Sequence, residues 1–467
     1  MIPFWKLNKV PLLLTLVSFF LYGLFAYDLV RTESIKLIVL YCSVFLVFLL
    51  LLKYYKNNIK LLTAIAFLSR AIFILAIPNL SQDFYRFIWD GRMILEGLNP
   101  YLYTPESFIH AGGSFPVAEA KALYAGMGEL NGSHYTNYPP INQLCFLISA
   151  LFSSHSILGS TIMLRLLIVA ADFGTFFFGK RLLERLNIPV KNIFWYILNP
   201  FIIIELTGNL HFEGVMIFFL IWSLYLLHTG QWKLAAVAFG LSISVKLIPL
   251  LFLPLMFKWF IYNSSTTKKG LSRLIGFYSL IGITTTLLFT PFFSLEFVNN
   301  YSQTVALWFT NFEFNASIYY LAREIGYWYT GYNEIAVIGK ILPILVFLCV
   351  LCLSLFRRKI ETKMLFINML FAFSFYLFLS TTVHPWYIAT LLILSVFTNY
   401  KFPLVWSFVI ILSYLAYSHL NKANTSENLW IVTLEYLIVY GVFIWEVFFS
   451  SRFQKNKKAN SIELAKS

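Results

Sequence analysis

A chain of 467 residues that is 59% hydrophobic and only 12% charged is not a soluble globular protein, since such proteins carry about 25% charged residues. Apolar runs close to the spanning length of about 20 residues recur from end to end. The net charge of +14 comes from Lys and Arg clustered between those runs, as cytoplasmic loops require, so it speaks for membrane orientation and against nucleic acid.

The first apolar run, Val10–Tyr27, follows Lys6 and Lys9 without a clear small-x-small cleavage site and reads as an uncleaved span. Further spans are expected at Ile35–Leu52, Leu61–Ile77, Met163–Phe178, Ile193–Leu206, Val215–Leu227, Leu234–Val245, Ile248–Phe260 and Leu271–Phe289. The series continues with Ile335–Leu355, Met364–Leu379, Tyr387–Phe397, Leu404–Tyr417 and Leu429–Phe449. Cys42, Cys145, Cys349 and Cys352 all lie in apolar stretches and read as packing.

The apolar run Ile141–Phe152 decides the topology. Lys53, Lys56 and Lys60 lie in the second inner segment if the N-terminus is cytoplasmic. A full crossing by Ile141–Phe152 would put three basic clusters outside: Lys180–Lys191, Arg357–Lys363 and Arg452–Lys458. A re-entrant segment puts all three inside, and its short apolar core suits that role. The expected fold is therefore all-α: a polytopic transmembrane bundle of about 14 spans plus a re-entrant segment. Its parts are an N-terminal hairpin (1–60), a module over 61–290 with the outer loop 78–138, a module over 291–450 with the outer loop 294–333, and a cytoplasmic tail (451–467). The turns Gly208–Gly214 and Thr381–Tyr387 fall on the same outer side as the two loops.

In the first outer loop, Ser81 offers a helix start, and Gly97 with Asn99-Pro100 a stop. Phe84, Phe87, Ile88, Gly91, Ile94, Leu95 and Leu98 make an apolar stripe at helical spacing. Asp83, Arg86 and Asp90 share the other face. The pattern predicts an interfacial helix with a charged face, and an ionised Asp83 at its first turn can accept a proton from a hydroxyl.

Arg70, Arg165, Asp172, Glu205 and Lys246 sit in or beside apolar stretches, where each costs roughly 2.5–3.5 kcal/mol at the bilayer centre. They must pair, lie near an interface or line a wet cavity; Arg165 and Asp172, on one helix face, are candidates for shared pairing. Pro249 breaks the span after Lys246, which places that lysine to hold a lipid phosphate. His211 with Glu213, and His384 in its own turn, are too few for a firm metal site. No Walker-type or dinucleotide glycine loop is present, and no Gly-x-Ser-x-Gly elbow.

The run Asp83-Phe-Tyr-Arg-Phe-Ile-Trp-Asp90-Gly-Arg92, then Gly97-Leu-Asn-Pro-Tyr101 and Tyr138-Pro-Pro140, resembles the polytopic GT-C glycosyltransferases. The likeness is to prokaryotic mannosyltransferase-like members that use polyprenyl-phosphate sugars. Asn199-Pro200 with Glu205, the His211–Gly214 turn and Val245-Lys-Leu-Ile-Pro249 extend it over Leu61–Phe260, and His384-Pro-Trp-Tyr387 adds a late match.

The resemblance implies inverting transfer of mannose or another hexose from a polyprenyl-phosphate sugar to a glycan or glycolipid acceptor. The site would lie on the non-cytoplasmic side, with lipids of a bacterial inner membrane around it. It further implies Asp83 as catalytic base and Asp90 as a second acid, with Arg86, Arg92, Tyr138, Glu205, His211, Glu213, Lys246 and His384 binding substrate or its phosphate. The Asp-x-Asp metal motif of some relatives is absent, Asp83 and Asp90 being seven apart, so no cofactor is assigned and a divalent metal stays an open question. The alternatives are a polyprenyl-linked glycan flippase, against which the lack of paired repeats counts, and a non-catalytic glycan-binding scaffold.

Overall fold

The computed structural model describes residues 9–110, 115–356, 361–417 and 427–449. Lys6, Arg357–Lys359 and the basic tail 451–467 lie outside the described residues. Helices account for the secondary structure of the described residues, apart from one isolated bridge between Phe314 and Thr382. The protein is a polytopic helical membrane protein.

Helices occupy all fourteen expected positions, but they are of two kinds. Six are long and apolar enough to cross a membrane alone: Lys9–Tyr27, Ser34–Tyr54, Ile157–Arg185, Thr267–Phe292, Ile335–Leu355 and Leu429–Phe449. Their outward residues are large and apolar, among them Leu16, Phe20, Ile344, Phe347 and Leu437. Such faces are stable only against lipid or another chain.

The second kind is short, and part of it is enclosed by the rest of the protein. Pro385–Val396 and Thr362–Phe378 are buried along most of their length. The pair Pro200–Gly208 and Glu213–His228 is bent by 114° at its break. The expected span Ile193–Leu206 is thus a chain of short turns ending in a π-helical turn, Ile203–Gly208. Hydropathy alone does not separate a lipid-facing span from an apolar core segment, and length does.

The buried charges hold these short pieces together. Arg70 donates to Asp172 at 2.7 Å with both side chains fully buried, and also to the Ile197 carbonyl at 2.7 Å. Arg165 does not pair with Asp172 as its helix face suggested. It donates to the carbonyls of Thr207 (2.8 Å), Gly208 (3.1 Å) and Ile74 (2.8 Å). Those carbonyls lie at or just beyond the ends of two helices and have no onward helical partner. A guanidinium with five donors suits that task.

The loop 78–138 folds into helices Asp83–Leu95, Pro105–His110 and Ala120–Gly132. The helix Pro140–Phe152, expected as re-entrant, packs directly on Asp83–Leu95. Phe87 stacks on Phe146 with centroids 4.7 Å apart, and Tyr138 and Phe212 close the ring cluster edge-on. A Cβ at Gly91 would stand 2.2 Å from the Phe146 carbonyl oxygen, so only glycine permits this approach.

Gly91→Ala is accordingly expected to force the two helices apart at a cost of about 1–3 kcal/mol. Thermal unfolding in detergent reads it, and a wild-type unfolding temperature would contradict the close packing.

Candidate active site

The break at residues 209–212 is where polar side chains collect. Leu210 adopts φ of +63°, in the left-handed region, a conformation that a non-glycine residue keeps only where its surroundings impose it. Asn209 supplies part of that constraint: its Oδ1 accepts from Leu80 N (3.2 Å) and its Nδ2 donates to Glu205 Oε2 (3.4 Å). Glu205 also accepts from Tyr414 Oη at 2.9 Å, and His211 Nε2 lies 3.7 Å from it. The break is therefore tied to the start of the loop 78–138 and to the C-terminal half of the chain.

Glu213 opens the second half of the broken span and is ion-paired with Lys246. Lys246 follows the helix Trp232–Ile243 at its own break, before Pro249. The carbonyl of Ser244, two residues earlier, accepts from Ile141 N at 2.9 Å, which docks the start of Pro140–Phe152 beside the lysine. Lys246 Nζ faces the Tyr138 ring at 6.0 Å.

Asp83 begins its helix at the rim of this group and is partly buried. Burial pushes its carboxyl up to about 6; Lys246, Asn131 and Arg31 pull it back, and the Glu213 charge raises it. Asn131 reaches the carboxylate through a side-chain hydrogen bond. A carboxyl poised there is ionised near neutral pH and still basic enough to take a proton.

Arg86 and Asp90 are not the solvated face that the helical pattern suggested. Arg86 is 5% and Asp90 0% exposed. Arg86 Nε donates to Asp90 Oδ1 at 2.7 Å, and Gln143 Nε2 donates to Oδ2 at 3.0 Å. Arg86 Nη1 donates to the carbonyls of Asn131 and His134, both at 2.8 Å. A relay thus runs from Asp90 through Arg86 to the Asn131 carbonyl, and the Asn131 side chain favours the carboxylate form of Asp83. Both Asp90 oxygens are thus engaged, and the side chain has no exposure. Arg92 is likewise taken up, by the Ala118 carbonyl (2.6 Å) and Glu119 (3.0 Å). Arg86 Nη2 and Arg92 Nε are buried without a hydrogen-bond partner.

The second wall of the site is aromatic. His211 stacks on Trp386 at 3.7 Å, Trp386 on His384 at 4.6 Å, and His384 on Phe314 at 5.3 Å. Phe314 is held there from both sides. Its N and O bond Thr381 O (3.1 Å) and Val383 N (2.8 Å), while the next residue, Asn315, is gripped by Glu427, Glu435 and Tyr436. The loop 294–333 is mostly two helices, Leu295–Thr310 and Ile318–Thr330.

The structure thus brings Asp83, Tyr138, Glu205, His211, Glu213, Lys246 and His384 to one region, with Arg86, Asp90 and Arg92 further along the helix that Asp83 begins. Sequence reading missed Asn131, Gln143, Phe314 and Trp386. Trp386 had a signal, lying inside the His384-Pro-Trp-Tyr387 match; the others have none short of their tertiary partners. Among the described residues no group of three or more His, Cys, Asp or Glu side chains is placed to hold a metal ion.

Beside the aromatic wall runs an apolar groove between Ile248–Tyr262 and Ile335–Leu355. Leu250, Pro254, Leu342, Val346, Tyr376 and Thr381 line its first part, of about 290 Å³. Leu379 joins it to a second apolar hollow at Leu348, Cys352 and Phe375.

A family model described as alpha-(1->6)-mannopyranosyltransferase, N-terminal domain, matches residues 21–262. The match begins inside the first long helix, so most of the N-terminal hairpin belongs to the matched region. No curated protein matches the chain.

The relay makes a prediction of its own. Asp90→Asn leaves Arg86 buried without its counter-charge, and breaking such a pair costs about 3–5 kcal/mol. A large drop in unfolding temperature is expected, whereas an exposed ion pair would give almost none.

Proposed function

The chain belongs to the alpha-(1->6)-mannopyranosyltransferase family and is a glycosyltransferase, and on that premise we propose that it transfers mannose from a polyprenyl-phosphate donor to a glycan or glycolipid acceptor. The transfer inverts the anomeric carbon and takes place on the non-cytoplasmic face, in a bacterial inner membrane. The observation that carries the reading is the placement of Asp83, whose carboxyl burial pushes up to about 6, beside a lysine, a wall of stacked rings and an apolar groove that ends at the same turn.

Each part has a role in that chemistry. The acceptor hydroxyl gives its proton to Asp83 as its oxygen attacks the anomeric carbon. The bond from that carbon to the phosphate oxygen breaks with its electron pair going to the phosphate. Lys246, oriented by Glu213, faces the phosphate as charge develops there. Rings such as Trp386 offer the flat apolar faces on which the C–H side of a sugar packs. The apolar groove from Thr381 to Leu348 accepts the isoprenoid chain of the donor. The family description makes an α-(1→6) mannosidic link the first product to look for.

Two measurements test this. Purified protein in lipid, given a panel of radiolabelled polyprenyl-phosphate sugars and mixed glycolipid acceptors, is expected to transfer mannose, and Asp83→Asn to lose roughly 10²–10⁴-fold in rate. Full activity of that variant removes the base. Absence of transfer from every donor, by protein that still binds polyprenyl phosphate, favours the flippase.

The pH profile is the second measurement. A raised carboxyl is protonated and inactive as a base below its pKa, so kcat/KM should rise through about pH 6 and level off above it. Asn131→Ala removes a bond that favours the carboxylate form and should move the midpoint to higher pH. An unmoved midpoint would mean that another group titrates.

A further inference from the structure

The hairpin loop at residues 28–33 has no part in the reaction described so far, yet it enters the site. Arg31 Nη1 donates to the Leu80 carbonyl at 3.4 Å, three residues before Asp83. Its guanidinium lies 4.2 Å from the centre of the Tyr417 ring. Tyr417 in turn stands 6.1 Å from Phe314, the outer member of the aromatic wall. Arg31 therefore closes the end of that wall on the Asp83 side.

Four other cations near the site have carboxylate partners. Lys246 is paired with Glu213, Arg86 with Asp90, Arg92 with Glu119 and Arg70 with Asp172. Arg165 serves three carbonyls. Arg31 has no carboxylate partner among the described residues; the neighbouring acids Asp28 and Glu33 are both bonded to Lys36. It is only partly buried, and its fork of donors suits a phosphate.

Charge balance gives the reason for it. The carboxyl groups Asp83, Glu205 and Glu213 outnumber the one cation Lys246 among these residues, and Arg31 adds a second positive charge before an anion arrives. A phosphodiester donor adds one negative charge and a released phosphate monoester close to two, its second pKa being about 6.

We propose that Arg31, supplied by the N-terminal hairpin, binds the phosphate of the polyprenyl-linked substrate and product, which makes the hairpin part of the active site. This rests on the polyprenyl-phosphate reading above. In the topology proposed here the loop is on the outer side, where a short-loop arginine runs against the usual bias; that is the signature of a residue kept for binding.

The test compares wild type with Arg31→Ala, Arg31→Lys and Lys36→Gln in lipid, using polyprenyl-phosphate mannose and, as a product probe, unglycosylated polyprenyl phosphate. Arg31→Ala should raise the donor KM and the inhibition constant of polyprenyl phosphate at least tenfold each, with acceptor KM little changed. Arg31→Lys, which keeps the charge without the fork, should fall between. Lys36→Gln should match wild type, since that lysine only bridges the loop's own acids. A structural role alone would lower the active fraction without splitting donor from acceptor. Unchanged donor KM and inhibition in Arg31→Ala, with wild type active, would overturn the assignment of Arg31. A wild type that transfers from no polyprenyl-phosphate sugar would overturn the donor reading and this inference with it.

Discussion

The Arg165 guanidinium is the interaction on which the rest of the structure depends. A span that breaks inside an apolar interior leaves carbonyls with no water to receive them, and each unsatisfied group there costs several kcal/mol. Arg165 takes the Thr207 and Gly208 carbonyls at the break and the Ile74 carbonyl before the loop 78–138. Arg70 and Asp172 secure the same region from the side, through the Ile197 carbonyl. With these fixed, the chain can hold Leu210 in a left-handed conformation and turn through 114°. Glu205, His211 and Glu213 are then delivered to one place.

A second layer of constraint brings the loop 78–138 onto that place. Gly91 lets Asp83–Leu95 lie against the backbone of Pro140–Phe152, and the Ile141–Ser244 hydrogen bond ties that helix to the break beside Lys246. The acid and the lysine are therefore brought together by backbone contacts, and the long side chains are left free for positioning. The long lipid-facing helices bound this assembly from outside. The short buried helices form its interior, where packing against protein replaces the need to span.

Much of this was legible and some was not, for reasons that differ by residue. Asp83–Leu95 follows from the spacing of Phe84, Phe87 and Ile88, and Gly97 with φ of +76° is the stop its position implied. The direction faced by Arg86 and Asp90 was not legible. An i, i+4 pair looks the same in sequence whether it is solvated or buried, and only Gln143, Asn131 and His134, all more than forty residues away in sequence, settle it. The division of the apolar segments into long and short helices was not legible for a related cause, because hydropathy responds equally to lipid and to a protein core. The Arg165–Asp172 pairing failed because a shared helix face says nothing of partners on other helices. Arg31 stayed hidden because Leu80 and Tyr417 come together only in the folded chain.

A low-dielectric pocket also constrains how charge may move through it. In the proposed reaction the leaving phosphate gains a negative charge as the sugar departs, and in an interior of low effective dielectric that gain is costly unless it is offset locally. Lys246 alone does not offset it, because Glu213 already balances the lysine. The acceptor proton does. When it moves to Asp83, that carboxylate loses its charge in the same step, so the pocket's net charge is the same before and after transfer. A carboxyl held near 6 takes the proton more readily than one at the usual value of about 3.9. The burial that raises Asp83 therefore serves the reaction directly, because it makes the base strong enough for its neutralisation to accompany bond breaking at the phosphate.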